Sequence, residues 1–139
     1  MLNMTSAMLA VTAGSLLDRH AKEIPPIVSV APAASLRQAL NLMSTYGVSQ
    51  IPVIDGRDCV GSLLEGPSMA RAIEDGKALD RPVSEVMHAP FPVVDADVPL
   101  DRIATMLSRE SPAALVRRDD HLVGILNRYD VLRQVAGIR

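Results

Sequence analysis

Near the carboxyl end, the run Gly124-Ile125-Leu126-Asn127-Arg128-Tyr129-Asp130 carries side chains able to do binding chemistry. Leu122 to Leu126 reads as a strand, and Asp130 to Ala136 reads as a helix stopped by Gly137. Asp130 therefore falls at a helix start, where free backbone N–H groups and the helix dipole stabilise a carboxylate. Its two oxygens can accept both hydroxyls of a ribose. The same carboxylate can equally serve as a plain helix cap, which is the commoner use of such a residue. Asn127 has both donor and acceptor capacity. Arg128 can pair with phosphate or remain a solvated side chain.

The remaining reactive residues do not assemble into a catalytic pattern. His20, His88 and His121 are far apart and lack metal-ligand spacing, so surface or linker roles are expected. The sequence has no Gly-rich phosphate loop, and no Ser-His-Asp arrangement can be singled out. Asp119-Asp120 marks a turn, and Arg117-Arg118 reads as its solvated flank. Met43, Met69, Met87 and Met106 suit gap filling in a core or interface. Neither a catalytic residue nor a metal site is expected.

The elements that must position Asp130 come from a chain of 139 residues, 48% hydrophobic, which is enough to bury a core. The net charge of −2 implies no basic face, and the aromatic residues are Tyr46, Phe91 and Tyr129. Stacking platforms for bases are therefore scarce, which argues against nucleic-acid binding. Cys59 is the only cysteine, so no internal disulfide or thiolate cluster can form, and a reducing cytoplasm fits. Met1 to Leu17 carries no charged side chain. It lacks the basic start of a signal peptide and is too polar to span a bilayer, so a docking helix or linker is expected there.

The organising feature is an internal repeat. Ile27 to Val30 reads as a strand. Ser35 is placed as N-cap of a helix with Leu36, Ala39, Leu40 and Met43 on one face and Gly47 as its stop. Gln50 to Ile54 and Cys59 to Leu64 read as strands around an Asp55-Gly56 turn, and Pro67 sits in the first turn of a helix ending near Gly76. The second half repeats this order. Pro92 to Val94 is the strand, Asp97 the candidate cap, and Leu100, Ile103, Ala104 and Leu107 the apolar stripe. Ala113 to Val116 and Leu122 to Leu126 form the strand pair. Leu36 and Leu100 lie 64 residues apart, and Gly61 and Gly124 lie 63 apart, so one residue is lost between stripe and turn. Asp80 to Met87 reads as a short linker helix, and His20 to Ile24 ends another helix before Pro25-Pro26. A three-stranded sheet alone is marginal, which explains why the units come as a pair.

In its order and spacing this pattern resembles the tandem CBS-domain family, over about Ile24 to Val135. The matching pieces are Ile27 to Val30, Ser35 to Met43, Gly47 to Asp55 and Val123 to Leu132. Gly47 to Val53 and Gly61 to Pro67 are most similar to the regulatory region of cystathionine β-synthase-type PLP enzymes. Lys22 and Lys77, the only lysines, lie in no Schiff-base context.

The resemblance implies an α+β fold of two pseudo-symmetric βαββα repeats packed sheet to sheet. Residues 1–24 would be an amino-terminal segment, 25–79 the first repeat, and 80–139 the linker helix and second repeat. It implies a non-catalytic, cytoplasmic regulatory module that senses an adenosine-containing ligand, S-adenosylmethionine or AMP, ADP or ATP, between the repeats. The homodimer would form through the helices, and the output would reach an attached or partner effector enzyme. The implied site takes Ile27, Val48, Ser49, Gln50, Ile51 and Pro52 with Ile125, Asn127, Arg128, Tyr129 and Asp130. Asp130 would hold the ribose, Tyr129 would cover the base, and Val48 to Ile51 would give backbone groups and apolar contact to the adenine; Val48, Ile51 and Ile27 read equally as ordinary core, a compatible role. Asn127 stands where the family has a hydroxyl residue, which favours a ligand without phosphates, whereas Arg128 argues for one. The equivalents of Asp130 and Asn127 in the first repeat are Pro67 and Leu64, so one working site is expected. A dimerisation module that binds no small molecule is the alternative.

Overall fold

A computed structural model describes residues 11–18, 27–108 and 111–137. The chain forms two compact units. One is continuous, Val28–Phe91; the other joins residues 11–18 to the chain from Pro92 onward. The helix expected over His20 to Ile24 lies outside the described residues.

In the continuous unit, helix α2 (Leu36–Tyr46) starts at a full capping box. Ser35 Oγ accepts from the Gln38 N–H at 3.1 Å, and Gln38 Oε1 accepts from the Ser35 N–H at 2.9 Å. Leu36, Ala39 and Met43 are buried at helical spacing, and Gly47 ends the helix in the left-handed region at φ 64°. Strands β1 (Gln50–Asp55) and β2 (Asp58–Leu64) pair antiparallel, and β2 runs directly into α3 (Glu65–Glu74). Leu36, Met43, Ile51, Val53 and Leu63 form the core with Val83 and Val86. Burying each large side chain contributes about 1.5–3 kcal/mol.

The expected strand at Ile27 to Val30 shrinks to one parallel bridge, Val30 with Val53. Val30 N–H donates to the Pro52 carbonyl at 3.2 Å, and Ile54 N–H donates to the Val30 carbonyl at 2.9 Å. The next rung toward Val28 needs an N–H from residue 52, and proline has none. In the other unit, Leu115 stands at the position of Pro52 and donates its N–H to the Pro92 carbonyl at 2.9 Å. There the strand forms as β3 (Val93–Asp95), parallel to β4 (Ala113–Arg118). Strand β4 pairs antiparallel with β5 (His121–Asn127), and β5 runs into α5 (Arg128–Ala136). Helix α4 (Leu100–Met106) buries Leu100 and Ile103, whereas Ala104 of the expected stripe is exposed. Leu100, Ile103, Val116, Leu126 and Val131 form this unit's core with Val11, Ala13 and Leu16.

Two further expectations are corrected. Asp80 to Met87 holds no α-helix; Gly76–Asp80 and Val83–Glu85 are 3-10 turns. Asp97 does not cap α4. The N-cap is Pro99, without a side-chain bond, and the first N–H of the helix, on Leu100, is taken by the Val11 carbonyl at 3.0 Å. A distant backbone carbonyl thus replaces the side-chain cap.

That carbonyl belongs to a swapped arrangement. In the discontinuous unit Ala13 N–H donates to Val98 O and Gly14 N–H to Ala96 O, beside the Leu100–Val11 bond. In the continuous unit Val83 N–H donates to Ala34 O, Ser84 N–H to Pro32 O, and Leu36 N–H to Arg81 O. The three bonds match one for one. Residues 81–84, which follow the first repeat, complete it, and residues 11–14, which precede it, complete the second. Residues 13–18 form the short helix α1 (Ala13–Asp18), held further by Arg118 to Asp18 at 3.5 Å.

Candidate functional site

Strand β5 delivers the candidate residues to the start of α5. Asn127, the last strand residue, is the N-cap of the helix, with φ −112° and ψ 175°. Its Oδ1 accepts from the Asp130 N–H at 3.0 Å, and Asp130 Oδ2 accepts from the Asn127 N–H at 2.7 Å. Asp130 is thus the third helical residue of a capping box, a half-buried carboxylate bound to the backbone of the strand end. Of the two sequence alternatives for Asp130, the structure shows the cap.

The Asn127 oxygen already accepts one bond within the box, so the amide nitrogen is the better-placed group for a ligand. Arg128 N–H donates to the Pro112 carbonyl at 3.2 Å, which fixes the turn into the helix. Its guanidinium lies over the Tyr129 ring, 5.8 Å from the centroid. Tyr129 is 59% exposed, leaving its ring open to a further contact. Ile125 is half-buried on β5 opposite Leu115. Ile27 is half-buried, outside any strand.

In the continuous unit, Val48 to Pro52 leads into β1. Ser49 is exposed; its hydroxyl donates to Gln50 Oε1 at 2.8 Å, and its carbonyl accepts from Glu65 N–H at 2.9 Å. Gln50 pairs with Leu64, and Val48 is half-buried against the core. Ile51 and Pro52 are fully buried, backbone included, and the Pro52 carbonyl accepts from the Val30 N–H at 3.2 Å. The structure therefore groups Ile125 and Asn127 to Asp130 in one unit and Val48 to Pro52 in the other.

Helix α3 occupies the place of α5 in the continuous unit. Its N-cap is Leu64, without a side-chain bond, and Pro67 stands at the third helical position. Neither of these two side chains can accept a hydrogen bond, although Glu65 places a carboxylate in the first turn. The capping box is legible in the sequence as Asn127-x-x-Asp130, a short acceptor residue followed three positions later by a carboxylate, although the expected cap is Asp130 alone.

The CBS domain family matches residues 21–65 and 83–137, one match in each repeat. Among curated proteins, the chain is 27% identical over 109 residues to an A-adding tRNA nucleotidyltransferase of Geobacter sulfurreducens, covering 78% of this chain and 12% of that enzyme. The chain thus spans about an eighth of that relative's length. Among solved structures, a CBS-domain signal-transduction protein from Burkholderia ambifaria superimposes with a TM-score of 0.77 at 21% identity, covering 91% of this chain and 95% of that one. The CBS domain of a bacterial CNNM/CorC family Mg2+ transporter in complex with ATP gives a TM-score of 0.78 at 17% identity, covering 99% and 96%. These structures share the α+β fold, and with both repeats matched the chain belongs to the CBS-domain family.

Proposed function

We propose that this CBS pair is a non-catalytic sensor that binds an adenosine-containing ligand, with Asp130 accepting the ribose hydroxyls. The observation that carries this reading is the carboxylate held at the start of α5 by the Asn127 N–H, against Leu64 and Pro67 at the same place in the other repeat. Asn127 supplies its amide nitrogen, Tyr129 covers the base, and Arg128 lies beside both. Ile27, Val48 to Pro52 and Ile125 are the proposed further contributors. One ligand binds per chain.

Two ligand classes compete. The resemblance of Gly47 to Val53 and Gly61 to Pro67 to the regulatory region of cystathionine β-synthase-type enzymes, which the comparisons do not extend beyond the CBS family, speaks for S-adenosylmethionine. The ATP bound to the transporter CBS domain favours a nucleotide for this chain too. Asn127 in place of a hydroxyl residue favours a ligand without phosphates, whereas the guanidinium of Arg128 suits a phosphate, and with the ATP-bound neighbour this puts AMP, ADP and ATP ahead. Binding changes the output of an attached or partner effector enzyme, in the cytoplasm. No helix among the described residues is long and apolar enough to cross a membrane.

A second reading, a dimerisation module, draws on exposed apolar residues. Ile73 is 84% exposed with Met69 on α3, and Leu132 and Val135 are exposed on α5. We propose that these helices form a homodimer, which is compatible with ligand sensing. A thermal-shift series with S-adenosylmethionine, AMP, ADP and ATP separates the readings. A ligand of the native state raises the melting temperature as its concentration rises. A flat response to all four leaves dimerisation alone.

A further inference from the structure

The two repeats differ at one core position. Val131 on α5 is 5% exposed and packs with Leu16 and Leu100 in the discontinuous unit. At the matching position on α3, 63 residues earlier, stands Ser68. The matching neighbours of Leu100 and Leu16 are Leu36 and Val86. In place of a filled core there is a groove of about 230 Å³, lined by Leu36, Val86, Ser68, Arg71, Glu74 and His88, with Pro67 and Ala70 beside them. It lies wholly within Val28–Phe91.

The polar side chains of this groove are uncommitted. Ser68 is 5% exposed, and among the described residues its hydroxyl has no hydrogen-bond partner. Arg71 and Glu74, three apart on one helix, form no ion pair with each other or with any other described residue. Among the described residues no buried side-chain oxygen or nitrogen lacks a partner, so the unbonded Ser68 hydroxyl opens onto the groove, and polar groups converging on an apolar wall are the composition of a small-ligand pocket. The volume, about 230 Å³, falls below the roughly 300–1,000 Å³ of pockets for drug-sized ligands, which suits a smaller molecule.

We propose that this groove binds a free amino acid. An oxyanion alone would face the Glu74 carboxylate, and a cation alone would face the Arg71 guanidinium. A zwitterion answers both: its carboxylate goes to Arg71, with Ser68 and His88 as further donors, and its ammonium goes to Glu74. The side chain must be small, since Leu36 and Val86 close the apolar wall. The site is independent of the Asp130 site.

Amide NMR of the full chain tests this, with L-alanine and L-serine as probes and acetate and methylammonium as half-charge controls. The expected result is saturable shifts confined to residues 67–74 and 86–88, with each control about tenfold weaker because one charged contact is lost. Ser68→Val, which copies the twin repeat, abolishes the shifts, and Arg71→Gln, on the exposed rim, weakens them about tenfold if the first variant fails to fold. The proposal is overturned if the amino acids give no saturable shift, if acetate matches them, or if binding survives in the folded variants. None of these results depends on whether an adenosyl ligand binds.

Discussion

Asp130 and Asn127 each hold the other's backbone: Asp130 Oδ2 accepts from the Asn127 N–H at 2.7 Å, and Asn127 Oδ1 accepts from the Asp130 N–H at 3.0 Å. A residue proposed to hold ligand is therefore also part of the helix start. Asp130→Ala should cost about 1 kcal/mol of stability through the cap alone, as well as ligand binding. Ser35→Ala, which breaks the capping box of α2, should cost a similar amount and leave ligand affinity unchanged. Urea melts paired with ligand titrations separate the two roles; equal loss of affinity in both variants would make the Asp130 effect purely structural.

The strap α1 is packed against a glycine. A Cβ on Gly124 would meet the Leu17 side chain, so Gly124→Ala forces that side chain to shift. Such overpacking typically costs about 1–3 kcal/mol. Leu17→Ala should then relieve Gly124→Ala, giving a double variant more stable than the sum of the two single losses. Additive losses in denaturant melts would show that the two residues do not press on each other.

The hairpin between β4 and β5 places Asp119 at φ 52° and Asp120 at φ 63°, both in the left-handed region. Two positive φ values are what a tight type I′ loop requires, and Asp-Gly fills it with less strain than Asp-Asp. Asp120→Gly should raise stability by about 1 kcal/mol, seen as a melting temperature higher by a few degrees. A lower melting temperature would mean that the Asp120 side chain contributes more than its backbone costs.

Burial pushes the Cys59 thiol above its ordinary value, although backbone hydrogen bonds at Phe91 and Gly61 act in the opposite direction. The thiolate is the reactive form, so at neutral pH Cys59 should alkylate more slowly than a free cysteine. Its rate should also climb at a higher pH than the free thiol's. Iodoacetamide kinetics followed by mass spectrometry from neutral to alkaline pH read this directly. Rapid modification at neutral pH would contradict it.

Local signals carried far into this fold. Gly47 and Gly137 adopt the left-handed stops expected of them, and Ser35 caps its helix. The repeat offset of 63 recurs in the strand register, where Val53 faces Gly61 and Val116 faces Gly124. The misses come from long-range partners. Pro99 begins α4 without a side-chain cap because Val11, nearly ninety residues away, supplies the carbonyl. Val28 fails to pair because residue 52 is a proline, a fact of the neighbouring strand rather than of Ile27 to Val30. Swapped straps leave no local signature, since 11–14 and 81–84 share a hydrogen-bond pattern rather than a motif. At the candidate site, Asp130 in the first turn of a helix is legible, and so is a core role for Ile51, whereas the burial of Pro52 is not.

Isothermal titration of the intact chain with ATP, AMP and S-adenosylmethionine bears most directly on the proposed sensor. The expected outcome is saturable binding of at least one of them with one molecule per chain, lost in Asp130→Ala while the variant remains folded. Heat flow indistinguishable from dilution for all three, or undiminished affinity in folded Asp130→Ala, would contradict it.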